Sequence, residues 1–151
     1  MNLDSFETEL VDIVTQNDAL IGSGIWFESG YFTNGIEKIE ANATVSTAEQ
    51  GMADSEEESS EEETIYYVGP YAMRDNGKIQ ITYKYSTADN SYFKQKFYMM
   101  AKEVKSTILT EPMYDITARS FKVTAIVPMF TDNVFIGCVT AVSYTHLTLP
   151  T

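Results

Sequence analysis

Acidic and aromatic side chains converge between Ser91 and Asp115, in the stretch SYFKQKFYMMAKEVKSTILTEPMYD. Glu111 and Asp115 could form a carboxylate pair for acid–base chemistry, which requires two groups at a controlled distance. Pro112 stands between them, so no regular element controls their separation, and both carboxylates could simply be solvated. The aromatic rings beside these acids indicate instead the wall of a binding pocket.

A helix must position these rings. Aromatic and apolar residues recur at steps of three and four, which predicts one apolar helical face and one basic face. The apolar face comprises Tyr92, Phe93, Phe97, Met100, Ala101 and Val104, and the basic face comprises Lys94, Lys96, Lys102 and Lys105. Ser91 is the predicted N-cap, and Pro112 places Met113 to Asp115 on a separate extended segment. The alternative to a binding site is an amphipathic helix that only covers a sheet.

The length of 151 residues predicts one domain with a core of its own. The net charge is −12, but nine of the 22 acids lie between Glu40 and Thr64, where there is no Lys or Arg. The rest of the chain has 13 acids against ten scattered bases, which argues against a nucleic-acid partner.

Residues 41–63, ANATVSTAEQGMADSEEESSEEE, predict a disordered acidic insertion, because they cannot bury enough apolar surface to offset the entropy of ordering. Calcium binding and phosphorylation of Ser59 and Ser60 are alternative roles, although the acids lack the spacing and turn glycine of a calcium loop. Cys138 lies in an apolar strand pattern and is predicted to be a small core residue.

The other elements indicate an α+β domain. A helix is predicted from Asp4 to Gln16, and a buried strand from Ala19 to Phe27, whose two glycines indicate close packing against the backbone. Asp75-Asn76-Gly77 and Thr131-Asp132-Asn133 predict two hairpins. The predicted architecture is an antiparallel sheet of about five strands with an N-terminal helix and a helix covering a pocket. No apolar run is long enough for a membrane span, and the first residues lack the features of a signal peptide.

The order of five segments resembles the bacterial Cache sensor domains of the double-Cache or PDC type, over most of Ala19 to Ala141. The segments are IGSGIWFES, YYVGPYAMRDNGKIQITYKYS, YFKQKFYMMAKE, LTEPMYD and TAIVPMFTDNVFIGCVTA. The resemblance implies a PAS-like fold and an extracytoplasmic ligand-binding role in a chemoreceptor, a sensor kinase or a cyclic-dinucleotide enzyme of the bacterial inner membrane. Any catalytic output domain would lie outside this chain, so the chain itself is predicted not to be an enzyme.

Members of that family that bind amino acids carry an aromatic pair on the pocket helix, preceded by an arginine, and an acid after the helix. The resemblance makes Phe97 and Tyr98 the pair and Asp115 the acid. Gln95 stands where the arginine would bind a carboxylate, and Met113 replaces an aromatic residue, so the usual amino-acid specificity is not expected. An aromatic cage with a carboxylate suits an ammonium group, each contact contributing on the order of 1 kcal/mol. The predicted ligand is amine-like, with an uncharged metabolite as the alternative.

The predicted ligand-binding set should face one cavity between the helix and the sheet, with the tryptophan near its floor. The set is Trp26, Tyr85, Phe97, Tyr98, Tyr114 and Asp115. Trp26 and Phe97 could instead be core residues without contact to a ligand. No metal and no cofactor are expected, because the sequence shows no ligand cluster, nucleophile motif or phosphate loop.

The last ten residues, Val142 to Thr151 (VSYTHLTLPT), resemble the translation of an adaptor used for sequencing libraries. The predicted domain is therefore residues 1–141, with a non-native tail that contains His146. The alternative is that these residues form a natural C-terminal strand. A second acid of the pocket, a membrane attachment and an output domain would belong to the missing native sequence, and a homodimer is compatible with this prediction. The alternative function is a soluble interaction domain whose acidic insertion binds a basic partner.

Overall fold

The structure is a computed structural model that describes residues 2–32, 38–39, 67–87, 91–116 and 119–145. Its helices are α1 (Leu3–Gln16) and α2 (Lys96–Val104). Its strands are β1 (Leu20–Phe27), β2 (Tyr71–Asp75), β3 (Lys78–Thr82), β4 (Ile108–Leu109), β5 (Met113–Asp115), β6 (Ser120–Thr131) and β7 (Val134–Thr145). The predicted acidic insertion and His146 lie outside the described residues.

All seven strands form one antiparallel sheet in the order β3-β2-β1-β7-β6-β4, with β5 also paired to β6. The two short strands β4 and β5 account for the difference from the expected number of about five. Of the helices with described bounds, α1 packs on β1, β2 and β3, and α2 packs on β6 and β7 from the opposite face, so the predicted α+β fold with a PAS-like arrangement is confirmed. No helix of the described residues is long and apolar enough to cross a membrane.

Both predicted hairpins are present. The turn between β2 and β3 has φ of 49° at Asn76 and 78° at Gly77, and the turn between β6 and β7 has φ of 50° at Asp132 and 63° at Asn133. Two consecutive residues with positive φ twist the chain in the sense of the flanking strands, which is why such turns join antiparallel neighbours. The second turn places β6 and β7 in register over most of their length.

Helix α1 covers β1, β2 and β3 on one face of the sheet. The helix begins after Asn2, whose side chain accepts a hydrogen bond from the Ser5 N–H at 3.1 Å and so satisfies a free donor of the first turn. Leu10 and Val14 are fully buried against Ile25 and Phe27 of β1. The prediction of a helix over Asp4–Gln16 is therefore confirmed.

Arg74 of β2 holds the C-terminal end of α1 on the sheet. Its Nη2 donates to the Val14 carbonyl at 2.6 Å, and its Nε donates to the Leu20 carbonyl at 3.3 Å. Arg74→Met keeps the apolar stem but removes both charge-assisted bonds, so we expect the free energy of unfolding to fall by about 1.5–3 kcal/mol. Urea denaturation followed by circular dichroism measures it. The exposed Lys78→Met on β3 is the control, and an equal loss there would contradict the capping role.

The predicted helix from Ser91 is interrupted on the opposite face. Residues Tyr92–Lys94 form a 3-10 turn, Gln95 is extended with φ −78° and ψ 147°, and α2 begins only at Lys96. The prediction of Ser91 as the N-cap of one continuous helix was wrong, and its hydroxyl donates to the Thr87 carbonyl at 2.9 Å.

Because the helix is interrupted, the rings of Tyr92 and Tyr98 both reach the core. A single continuous helix would not direct both of them there. Tyr92 is buried with its hydroxyl donating to the Phe27 carbonyl, and Tyr98 is only 3% exposed. Val104, predicted on the apolar face, is 51% exposed. The break at Gln95 changes the phase of α2 relative to Tyr92, so steps of three and four residues counted from Tyr92 do not hold across it.

Candidate functional site

An aromatic cluster on the α2 face of the sheet surrounds Trp26. The Trp26 side chain is 4% exposed, and its ring centroid lies 5.0–5.9 Å from those of four other rings, Tyr71, Tyr85, Tyr92 and Phe97. Its indole Nε1 donates to the Thr140 hydroxyl of β7 at 2.8 Å. The indole is thus fixed by packing and by one hydrogen bond, as a buried tryptophan requires.

The two glycines of β1 make room for this cluster. A Cβ on Gly24 would stand 2.4 Å from the Trp26 ring, and a Cβ on Gly22 would stand 2.0 Å from the Tyr71 hydroxyl oxygen. The rings of Trp26 and Tyr71 therefore lie flat on the strand. The predicted close packing against the backbone of β1 is confirmed.

Four residues of the predicted ligand-binding set meet in this cluster. Trp26, Tyr85 and Phe97 are in direct contact, and Tyr98 belongs to the same group of packed residues. Tyr98 turns its hydroxyl away from them, towards Glu28. The rings of this cluster pack together between α2 and the sheet. This packing agrees with the alternative that Trp26 is a core residue.

Asp115 and Tyr114 lie elsewhere on the sheet. Asp115 pairs with Ser120 and Tyr114 with Phe121, so their side chains point to opposite faces. Tyr114 packs on Phe121 at 5.3 Å between ring centroids and is 56% exposed.

The register also separates Asp115 from the pocket helix. Asp115 accepts a hydrogen bond from Tyr144 at 3.1 Å, whereas Tyr98 contacts Phe135 near the other end of β7. Phe135 and Tyr144 are nine positions apart along β7, which corresponds to roughly 20–30 Å. The structure therefore does not bring Asp115 to Tyr98, and ligand binding by the six residues stays a prediction.

Tyr71 connects the two regions and was missed from the sequence. Its ring stacks on Trp26 at 5.7 Å, and its pKa is raised to about 12, mainly by burial and further by the Tyr85 and Tyr144 hydroxyls. Strand register puts Trp26, Tyr71, Tyr144 and Asp115 on the same face. The alternation of side chains along the strand that begins at Tyr71 was the only sequence signal for the face on which Tyr71 lies. It could not show which face of the sheet Trp26 occupied.

The first four residues of the predicted tail, 142–145, continue β7 and pair with β1 and β6. A strand ladder joins backbone groups whatever the side chains are, so the origin of the sequence after Ala141 stays a prediction. Tyr144 is for that reason not assigned a role in binding.

Glu28 lies at the outer end of the aromatic cluster and was also missed. Its Oε2 accepts from the Tyr98 hydroxyl at 2.9 Å and from Lys102 Nζ at 3.3 Å. Burial, and then the hydrogen bond to Glu28, raise the pKa of the Tyr98 hydroxyl far above its usual range, so it remains a neutral donor. One glutamate after a strand carries no sequence signal for this pairing.

An open cleft of about 510 Å³ lies beside this group, between α2, the 3-10 turn that precedes it and Glu28 at the end of β1. It is lined by Glu28, Tyr67, Phe93, Lys94, Tyr98, Met99 and Lys102. Tyr67 and Phe93 stack at 4.0 Å between centroids and form one wall.

The described residues include no group of three or more His, Cys, Asp or Glu side chains that could hold a metal ion. Cys138 is fully buried, as predicted for a core residue, and burial raises the pKa of its thiol to about 12. At neutral pH the thiol is therefore protonated and a poor nucleophile.

A sheet with an aromatic face under a covering helix is the architecture of PAS-like sensor modules. The family model described as methyl-accepting chemotaxis protein-like, first PDC sensor domain, matches residues 6–147. The chain belongs to this family, and the predicted resemblance to Cache sensor domains is confirmed. It is a sensor domain of the methyl-accepting chemotaxis protein-like type.

Solved structures share this fold at low sequence identity. The extracellular domain of mmHK1S-Z2, assigned as a histidine kinase, superposes with a TM-score of 0.64 at 21% identity, over 95% of this chain and 45% of that one. The extracellular domain of soHK1S-Z6, with the same assignment, gives 0.61 at 15% identity over 95% and 43%. The methyl-accepting chemotaxis protein X gives 0.58 at 16% over 95% and 46%. The chain thus spans less than half the length of each, and no curated protein matches it significantly.

Proposed function

We propose that this chain is the extracytoplasmic small-molecule-binding module of a transmembrane signalling protein, a chemoreceptor, a histidine kinase or a cyclic-dinucleotide enzyme. Its ligand carries an ammonium group. The observation that carries the ligand class is the shared sheet face on which the Trp26 cluster and Asp115 both lie. Family membership supports the sensory role.

The ligand lies between these two groups in this proposal. Helix α2 contacts β6 and β7, with Tyr98 and Ala101 packed in the Trp26 cluster. At the other end of this face Met113 is 66% exposed beside the half-buried Asp115. A ligand body that packs against Tyr71 and Tyr85 would place its ammonium group near the Asp115 carboxylate. Aromatic faces attract a cation, and a partly buried carboxylate pairs with it.

Two residues of the predicted set contact the ligand in this proposal, and three support them. Asp115 binds the ammonium group, and Tyr85 contacts the ligand body. Phe97 and Trp26 support the aromatic wall from behind. Tyr98 holds α2 in place through Glu28 without contact to the ligand. Tyr114 faces the other side of the sheet and is left out of the site.

Asp115→Asn tests the proposal because it removes the charge and keeps the shape. We expect aliphatic and aromatic amines to raise the melting temperature of the protein, whereas uncharged isosteres do not. The substitution should weaken amine binding by about tenfold or more, since one ion pair with a desolvated group is worth roughly 1.4 kcal/mol. Isothermal titration calorimetry measures both variants.

Asp132→Asn, in the exposed β6–β7 turn, is the matched control for the change of net charge. Its amine affinity should equal that of the unsubstituted protein. Equal stabilisation by amines and by their uncharged isosteres would contradict the ammonium-binding role of Asp115. The sensory role itself would fail if no small molecule of a broad metabolite panel stabilised the protein.

A further inference from the structure

We propose that the cleft beside Glu28 and α2 is a second binding site, which takes a small organic anion with an apolar or aromatic body. The cleft combines an aromatic wall with two lysines, and it lies outside the sheet face assigned above to the amine. Its volume of about 510 Å³ is that of a site for a small molecule.

The walls of the cleft offer apolar contact that is already ordered. The Tyr67 and Phe93 rings are half-buried and stacked with an interplanar angle of 17°, and each therefore supports the other. Tyr98 is fixed by its hydrogen bond to Glu28, and Met99 is 53% exposed at the rim. Ligand binding need not order these rings, which reduces its entropic cost.

Among the described residues, the charge around the cleft is positive. Lys102 is paired with Glu28, so these two charges largely offset each other. Lys94 has its ammonium 5.6 Å from the Phe93 centroid and forms no ion pair within the described part of the chain. One positive charge remains beside the apolar wall, which selects a ligand with a single negative charge.

This local charge opposes that of the whole molecule. Residues 94–105 contain Lys94, Lys96, Lys102 and Lys105 against the single acid Glu103, although the chain has a net charge of −12. Four of the ten bases thus lie on one short segment whose lysines are exposed. A cluster of four lysines with one acid attracts an anion to this segment.

Glu28 decides between an anion and a cation. If the cleft took a cation, the Glu28 carboxylate would be its anchor, and removal of that charge would weaken binding. If the cleft takes an anion, Glu28 repels it and also holds Lys102 away from it. Glu28→Gln should then strengthen binding of the anion, since the amide oxygen still accepts from Tyr98 while Lys102 is released.

The experiment uses benzoate as the probe, with benzyl alcohol and benzylamine as neutral and cationic analogues of the same size. We expect saturable binding of benzoate by calorimetry and weaker binding of the other two. Lys94→Gln and Lys102→Gln should each weaken benzoate binding about threefold to tenfold, as for single partly solvated ion pairs. Lys96→Gln, exposed on the same helix but outside the cleft, should change it less than about twofold.

Three results would overturn the proposal. They are the absence of saturable benzoate binding, tighter binding of benzylamine than of benzoate, and weaker benzoate binding by Glu28→Gln with circular dichroism unchanged. The Asp115→Asn variant separates the two sites, because it should lose amine binding and keep benzoate binding. Loss of both ligands in that variant would show that benzoate occupies the sheet face instead of the cleft.

Discussion

Trp26→Ala is expected to lower the free energy of unfolding by about 3–5 kcal/mol, the range for removal of a large buried aromatic side chain. The substitution empties the centre of a cluster in which four rings contact the indole. It also leaves the buried Thr140 hydroxyl without its indole donor. Few other positions of the described chain combine a cavity of this size with a lost hydrogen bond.

Urea denaturation monitored by far-ultraviolet circular dichroism measures this loss, since the substitution removes the only tryptophan. Trp26→Phe is the informative control. It retains an aromatic ring in the cluster and removes the N–H donor. Its free energy of unfolding should therefore fall clearly less than that of Trp26→Ala. A loss below about 1 kcal/mol for Trp26→Ala would mean that the cluster is not packed as described.

Gly137→Ala is the second substitution with a large expected effect. Gly137 has φ of 146°, where a side chain is strained, and a Cβ there would stand 2.2 Å from the Trp26 carbonyl oxygen. Gly137 pairs with Phe27 at the last position of the β1–β7 ladder and with Met129 of β6, so β7 is held by a strand on each side at this residue. Backbone strain and overpacking together should lower the free energy of unfolding by about 2–5 kcal/mol.

Gly30→Ala separates the two causes. Gly30 also has positive φ, at 74°, but a Cβ there would have no atom within 4 Å. The free energy of unfolding of Gly30→Ala should fall by about 1 kcal/mol, because only the backbone conformation is strained. If both alanine variants lost the same stability by urea denaturation, the contact with Trp26 would contribute nothing, and the close approach of β1 and β7 would be refuted.

Local sequence patterns were sufficient for the hairpins and for α1. The turn residues at 76–77 and 132–133 favour positive φ by their own chemistry, and α1 has a regular apolar stripe without interruption. The resemblance also identified the family correctly. These features depend on residues that are close in the chain, or on the order of segments along it.

The break at Gln95 could not be read from the sequence. The residues from Tyr92 to Val104 have a helical period and contain no proline or glycine, so local preference favours one helix. Two hydrogen bonds to distant residues oppose a single continuous helix. The Tyr92 hydroxyl donates to the Phe27 carbonyl, and the Tyr98 hydroxyl donates to Glu28. Burial of both rings outweighs the lost helical turn.

Some features of the candidate site could likewise be predicted from the sequence, and others depend on the tertiary structure. The sequence by itself determined an antiparallel sheet with helices packed on it, close packing against the glycines of β1, and an aromatic and acidic composition suited to a cation. Only the tertiary structure decided that Tyr114 faces away from Asp115, that Tyr71 and Glu28 join the aromatic cluster, and that two lysines flank an aromatic cleft. Strand register and the pairing of residues 70 or more positions apart set these relations, and neither depends on neighbouring residues alone.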